Sequence, residues 1–157
     1  MLRKLAIALA MGLLATTGVV LAGPAQAENI GNEGCTPGYW KNHTANWEEY
    51  NPGRTVGTVF DFSGAPAPVA AYSDVTLEEA LSLRGGTGLS GATEILLRAA
   101  VAATLNAAHE GLGYPLRRLG EDGIFAMVNE ALASGDRQTM LELARYLDRL
   151  NNLGCPL

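Results

Sequence analysis

Between Ile95 and Ala108 the chain carries only three polar side chains, Arg98, Thr104 and Asn106. The run contains no glycine or proline, so nothing in it breaks a helix. A helix that is apolar nearly all round has no face to offer water and belongs at the centre of a bundle. Its many alanines let neighbouring helices approach closely. The rest of the chain must therefore supply helices to cover it, starting near Ser90 or Gly91 and ending by His109, where Gly111, Gly113 and Tyr114-Pro115 follow.

The covering elements are legible in the same terms. Thr76-Leu77-Glu78-Glu79 is a capping box, which predicts a short helix reaching about Arg84 and stopped at Gly85-Gly86. A further helix is expected from about Glu121 to Ala133, with Phe125, Val128 and Leu132 on one face. Gly135 stops it and Asp136 caps the last helix. There Met140, Leu143, Ala144, Leu147 and Leu150 recur at helical spacing and form an apolar stripe. The expected fold is mainly α, a small bundle of four to five helices. An aromatic N-terminal segment and a short β-prone stretch at Thr55–Phe62 lie outside the helical core.

The first 27 residues read as an export signal. Arg3 and Lys4 precede an uncharged run from Leu5 to Ala22, and Ala25-Gln26-Ala27 is a small-x-small cleavage site. Removal of this segment leaves one domain, 28–157, divided into an aromatic and extended part (28–72) and a helical core (73–157). Losing Arg3 and Lys4 takes the net charge from −5 to −7. An acidic chain lacks the basic face that displaces counterions from phosphates, so nucleic acid is excluded as a partner. A secreted, extracytoplasmic protein is expected, with no stable membrane insertion after cleavage.

The two cysteines, Cys35 and Cys155, lie near opposite ends of that domain. In an oxidising compartment one intrachain pairing is open to them. It would stabilise the fold by roughly 4–5 kcal/mol through loop closure. Neither has a second cysteine nearby to make a zinc knuckle, and no haem attachment motif is present.

No cofactor or enzyme motif survives inspection. Gly86–Gly91 matches G-x-G-x-x-G, but a helix and not a strand precedes it; Ala92 stands where a P-loop requires Lys. His109-Glu110 lacks the second histidine of a metalloprotease, because Gly113 occupies its place. His43, His109 and Glu110 remain as weak metal-ligand candidates. Cys35 is conceivable as a nucleophile beside His43 or His109 only if its thiol stays unpaired.

The densest chemistry lies in Cys35–Tyr50, CTPGYWKNHTANWEEY, which holds both tryptophans. Thr36-Pro37 is a helix start, and on a continuous helix Tyr39, His43 and Trp47 would share one face with Trp40 beside it. Two roles follow for Tyr39, Trp40, Lys41, His43 and Trp47: a contact surface for an extracellular glycan or envelope protein, or an aromatic plug of the bundle near the disulfide. Asn42-His43-Thr44 is also a formal glycosylation acceptor. CTPGYWKNH, together with LLRAAVAATLNAAHEGLGYPL and the ending LNNLGCPL, resembles a group of uncharacterised exported bacterial and archaeal proteins. That resemblance implies an extracellular or surface-associated protein and transfers no catalytic residue.

The function expected is an exported, non-catalytic structural or interaction protein of the extracellular matrix or envelope. One alternative is a secreted hydrolase using scattered Glu and His residues on polysaccharide or peptide. Another is self-association, with Thr55–Phe62 adding as an edge strand to a second copy.

Overall fold

The structure, a computed structural model, describes residues 31–157; the expected signal peptide, 1–27, lies outside them. Six α-helices follow in order: α1 Pro37–Asn42, α2 Ala67–Ala70, α3 Leu77–Ala80, α4 Gly88–Ala108, α5 Ile124–Ser134 and α6 Arg137–Asn151. No β-strand occurs among the described residues, only the isolated bridges Gly34–Gly154 and Thr55–Thr76. The mainly helical, disulfide-stapled architecture is the expected one.

Helix α4 is the axis. It packs against α1, α2, α3 and α5, and above all against α6. By length and composition alone it could cross a membrane, but 67% of that apolar window is buried inside the protein. Leu96, Leu97, Ala100, Ala102 and Ala103 are completely buried, as are Met140, Ala144 and Leu147 from the stripe of α6. Val128 and Leu132 of α5 join the same core, with Phe125 packed at its edge.

Cap chemistry sets the helix ends. Thr76 accepts from the Glu79 amide while Glu79 reaches back to Thr76, as the capping box requires. Asp136 accepts from the Thr139 amide at 2.7 Å, and Gly135 stops α5 at φ +59°. Helix α3 ends at Ala80, short of Arg84, and α5 starts at Ile124, because Glu121 and Asp122 lie in the preceding turn. The β-prone stretch is a correction. Val56–Thr58 forms a 3-10 turn, held by Val56 N–H to the Val75 carbonyl and Gly57 N–H to the Ser73 carbonyl. These bonds engage the Val56 and Gly57 amides, and no strand forms over residues 55–62.

The N-terminal segment is tied down by polar contacts. The Glu33 amide donates to the Gly113 carbonyl, and the Gly34 amide donates to that of Gly154. Gly34 is required there: an added Cβ would sit 2.0 Å from the Leu150 carbonyl oxygen. The disulfide joins Cys35 to Cys155 across 120 residues. In the chain-entropy model a loop of that length stabilises by about 5 kcal/mol.

Beneath it lies a buried amide network. Asn106 Oδ1 accepts from the Cys35 amide (2.8 Å) and the Trp40 indole N–H (2.9 Å). Its Nδ2 donates to the Cys35 carbonyl and to Asn151 Oδ1, both at 2.9 Å. Asn151 Oδ1 also accepts from the Tyr114 hydroxyl, and its Nδ2 donates to the Ala99 carbonyl. Burial drives the Tyr114 pKa upward, so its hydroxyl stays protonated and donating.

Asn106→Leu would leave the Cys35 amide and the Trp40 indole without acceptors, at ~1–3 kcal/mol each. Urea unfolding should show a loss of about 3 kcal/mol or more; a loss below ~1 kcal/mol would contradict the network's role. The caps give a pH dependence. The Thr139 amide and then its hydroxyl hold the Asp136 carboxyl below its ordinary value of 3.8, and Thr76 does the same for Glu79 below 4.5. Groups depressed in the folded state stabilise fully above their unfolded values, and that stability is lost as pH falls through the folded values. Stability should therefore decline below about pH 4. The decline should be shallower in Asp136→Asn, which keeps a capping oxygen that does not titrate; an unchanged slope would refute the assignment.

Candidate functional site

The aromatic segment splits between two environments. Thr36 caps α1 by accepting from the Tyr39 amide, and Pro37 occupies the first helical turn. The helix then ends at Asn42, before His43 and Trp47. The His43 imidazole Nδ1 lies 2.8 Å from the Tyr39 carbonyl, the group a continuing helix would give to the His43 backbone amide. That amide donates to the Trp40 carbonyl instead, and the chain passes into a 3-10 turn, Thr44–Asn46. Tyr39, His43 and Trp47 are thus not successive rungs of one helix.

Trp40 is completely buried, with its indole N–H on Asn106. This removes it from the expected contact surface, because a ring with no exposed area cannot meet a ligand. Tyr39 lies 5.2 Å from the Trp40 ring and near perpendicular to it, and His109 lies 5.8 Å away, tilted by 47°. Lys41 and His43 are exposed; Tyr39 and Trp47 are half-buried. His43 stacks flat on Tyr39, with ring centroids 4.2 Å apart and planes 13° apart. A carbonyl only accepts, so His43 Nδ1 carries the proton, and Nε2 is the acceptor in the neutral ring. Asn46 donates to the Tyr39 hydroxyl at 2.7 Å, and the Trp47 indole donates to the Trp40 carbonyl at 2.9 Å. The Trp47 ring is therefore anchored through the backbone of the plug.

The metal-ligand candidates do not converge. Among the described residues no group of three or more His, Cys, Asp or Glu side chains could hold an ion. Both ring nitrogens of His109 are occupied: Nδ1 accepts from the Gly111 amide at 3.1 Å, and Nε2 faces Glu48 Oε1 at 3.5 Å. The Glu110 amide donates to Glu48 Oε2 at 2.7 Å, so Glu48 closes the C-terminal end of α4. Both cysteines are oxidised, which removes the thiol nucleophile.

The next three residues form a second feature. The Tyr50 amide donates to the Glu48 carbonyl at 2.8 Å across Glu49, whose φ is +61°. A three-residue turn of positive φ is rare and strained for a residue with a Cβ. It sends the adjacent carboxylates to different partners. Glu48 goes to His109, and Glu49 forms a two-pronged ion pair with Arg118 (Nη1 2.5 Å, Nη2 3.0 Å). Burial works against the Arg118 charge, and its bonds to Glu49 and Tyr50 outweigh that, raising its pKa above the ordinary value. The Tyr50 ring has the Arg54 guanidinium 5.7 Å from its centroid and that of Arg118 at 5.8 Å. Beside it opens a cleft of about 140 Å³ lined by Glu49, Tyr50, Arg54, Thr58, Val59 and Phe125. Sequence reasoning missed it, because nothing along the chain relates Glu49 to an arginine 69 residues away.

Relief of the strain and loss of the ion pair separate by substitution. Glu49→Ala loses the pair and keeps the strain, whereas Glu49→Gly loses the pair but relaxes the turn. The glycine variant should be more stable than the alanine variant by about 1 kcal/mol in denaturant unfolding; the opposite order would show an unstrained turn. No family model, no curated protein and no solved structure matches this chain.

Proposed function

We propose that the protein is an exported, non-catalytic interaction module of the extracellular matrix or cell envelope. Its contact face is Tyr39, Lys41, His43 and Trp47, and its partner is an extracellular glycan or an envelope protein. The observation that carries this reading is the anchored aromatic surface. The Tyr39–His43 stack and Trp47 are held at the surface by hydrogen bonds to a helix whose own Trp40 is locked into the core. Rings fixed before a ligand arrives lose little conformational freedom on binding, which is what an exposed recognition platform requires. Lys41, exposed on the same short helix, adds a cation to the segment. The Cys35–Cys155 disulfide is compatible with an extracytoplasmic location, and the export signal read at 1–27 supplies the route. Both ring nitrogens of His109 are engaged within the protein, which favours binding over hydrolysis.

Nuclear magnetic resonance titration with cello-, xylo- and chito-oligosaccharides, and with solubilised envelope protein, tests the reading. Shifts should appear at Tyr39, His43 and Trp47 and not at Trp40. Trp47→Ala should weaken binding roughly tenfold, equivalent to ~1.4 kcal/mol. Shifts confined elsewhere, no response to any probe, or cleavage of the oligosaccharide would overturn it.

A further inference from the structure

We propose that the cleft beside the Glu49 turn binds one hexuronic acid ring of an acidic polysaccharide. Its volume of about 140 Å³ is well below the ~300–1,000 Å³ of pockets that enclose a drug-sized ligand. One ring of a longer chain fits, with the remainder lying across the surface. The Tyr50 ring, Val59 and Phe125 supply apolar surface of the kind that receives the C–H face of a sugar.

Arg54 is the anionic subsite. Its Nε donates to Thr58 Oγ1 (2.8 Å) and its Nη2 to the Thr58 carbonyl (3.0 Å), while Thr58 Oγ1 donates to the Thr55 carbonyl (2.7 Å). The fork is thereby oriented, and no bond within the described residues uses Nη1, which keeps its donors for a carboxylate. Glu49 spends one lone pair of each oxygen on Arg118 and retains acceptors for ring hydroxyls. Arg118, which lies outside the lining, neutralises Glu49, so the Arg54 charge stays without an ion-pair partner among the described residues, within a chain of net charge −5. That balance matches one carboxylate and disfavours a dianion such as phosphate, which Glu49 would repel. The strained Glu49 backbone is of the type found at ligand clamps.

The test is a ¹H–¹⁵N titration of the oxidised full chain with trigalacturonate, cellotriose, trialanine and inorganic phosphate. Trigalacturonate should shift Tyr50, Arg54, Thr58 and Phe125, and cellotriose should bind at least tenfold more weakly. In Arg54→Gln, with an otherwise unchanged spectrum, trigalacturonate should fall to the level of cellotriose. Thr58→Val, which removes the acceptor of Nε and leaves the carbonyl that holds Nη2, should loosen the guanidinium and weaken the uronate selectively. Absence of these shifts with millimolar trigalacturonate overturns the proposal, as does equal binding of cellotriose, trialanine or phosphate. So do shifts mapping instead to Tyr39, His43 and Trp47, which would assign the uronate to the aromatic face.

Discussion

The side chain of Asn106 is the point on which the molecule turns. It sits near the C-terminal end of the buried axis helix with all four of its hydrogen-bonding positions filled. The partners come from three parts of the chain: the backbone of Cys35, the indole of Trp40 and the amide of Asn151. In a low-dielectric interior such a network is strong when complete and costly when broken. It also has one geometry. A core of alanine and leucine alone would accept several placements of an aromatic segment, whereas two amides that satisfy each other accept one. Tyr114 and the Ala99 carbonyl complete the satisfaction of Asn151, so the network binds the end of α6 to the same frame.

From that anchor the surface chemistry follows. With Trp40 fixed inward, its carbonyl holds Trp47 and its helix presents Tyr39, on which His43 lies flat. Two residues later the chain turns tightly through Glu49. The turn directs Glu48 toward α4 and Glu49 toward Arg118, and leaves the guanidiniums of Arg54 and Arg118 each within 6 Å of the Tyr50 ring centroid. The disulfide acts on a different quantity. It shortens the unfolded chain's freedom, while the amides choose the folded arrangement.

Much of the frame was legible along the chain. The apolar run predicted the axis, and its low polar content requires burial wherever the helix lies. Thr36-Pro37, the Thr76–Glu79 box, Gly135 and Asp136 act within a turn of their own positions, so local chemistry suffices to find them. Pairing of Cys35 with Cys155 followed from count and compartment. What failed depended on contacts between distant residues or on competition for one group. Asn106 reads as one of three polar interruptions in α4, and nothing near it reveals that its partners lie 71, 66 and 45 residues away. Trp40 therefore looked as available as Trp47. The length of α1 was overestimated because the His43 ring takes a carbonyl that propensity assigns to the backbone. Val56 and its neighbours carry strand-forming side chains, yet their amides meet the loop at Ser73 and Val75.

Hydrogen exchange of the Trp40 indole N–H and the Cys35 amide, measured in the oxidised and the reduced protein, separates anchor from staple most directly. If the Asn106 network holds the aromatic segment, both protons exchange only through global unfolding in the oxidised state. They then remain among the slowest in the molecule after reduction, while the Gly154–Leu157 tail loosens. Rapid exchange of the Trp40 indole on reduction, with the α4 and α6 amides still protected, would mean that the disulfide alone pins the segment and that the buried amides merely follow.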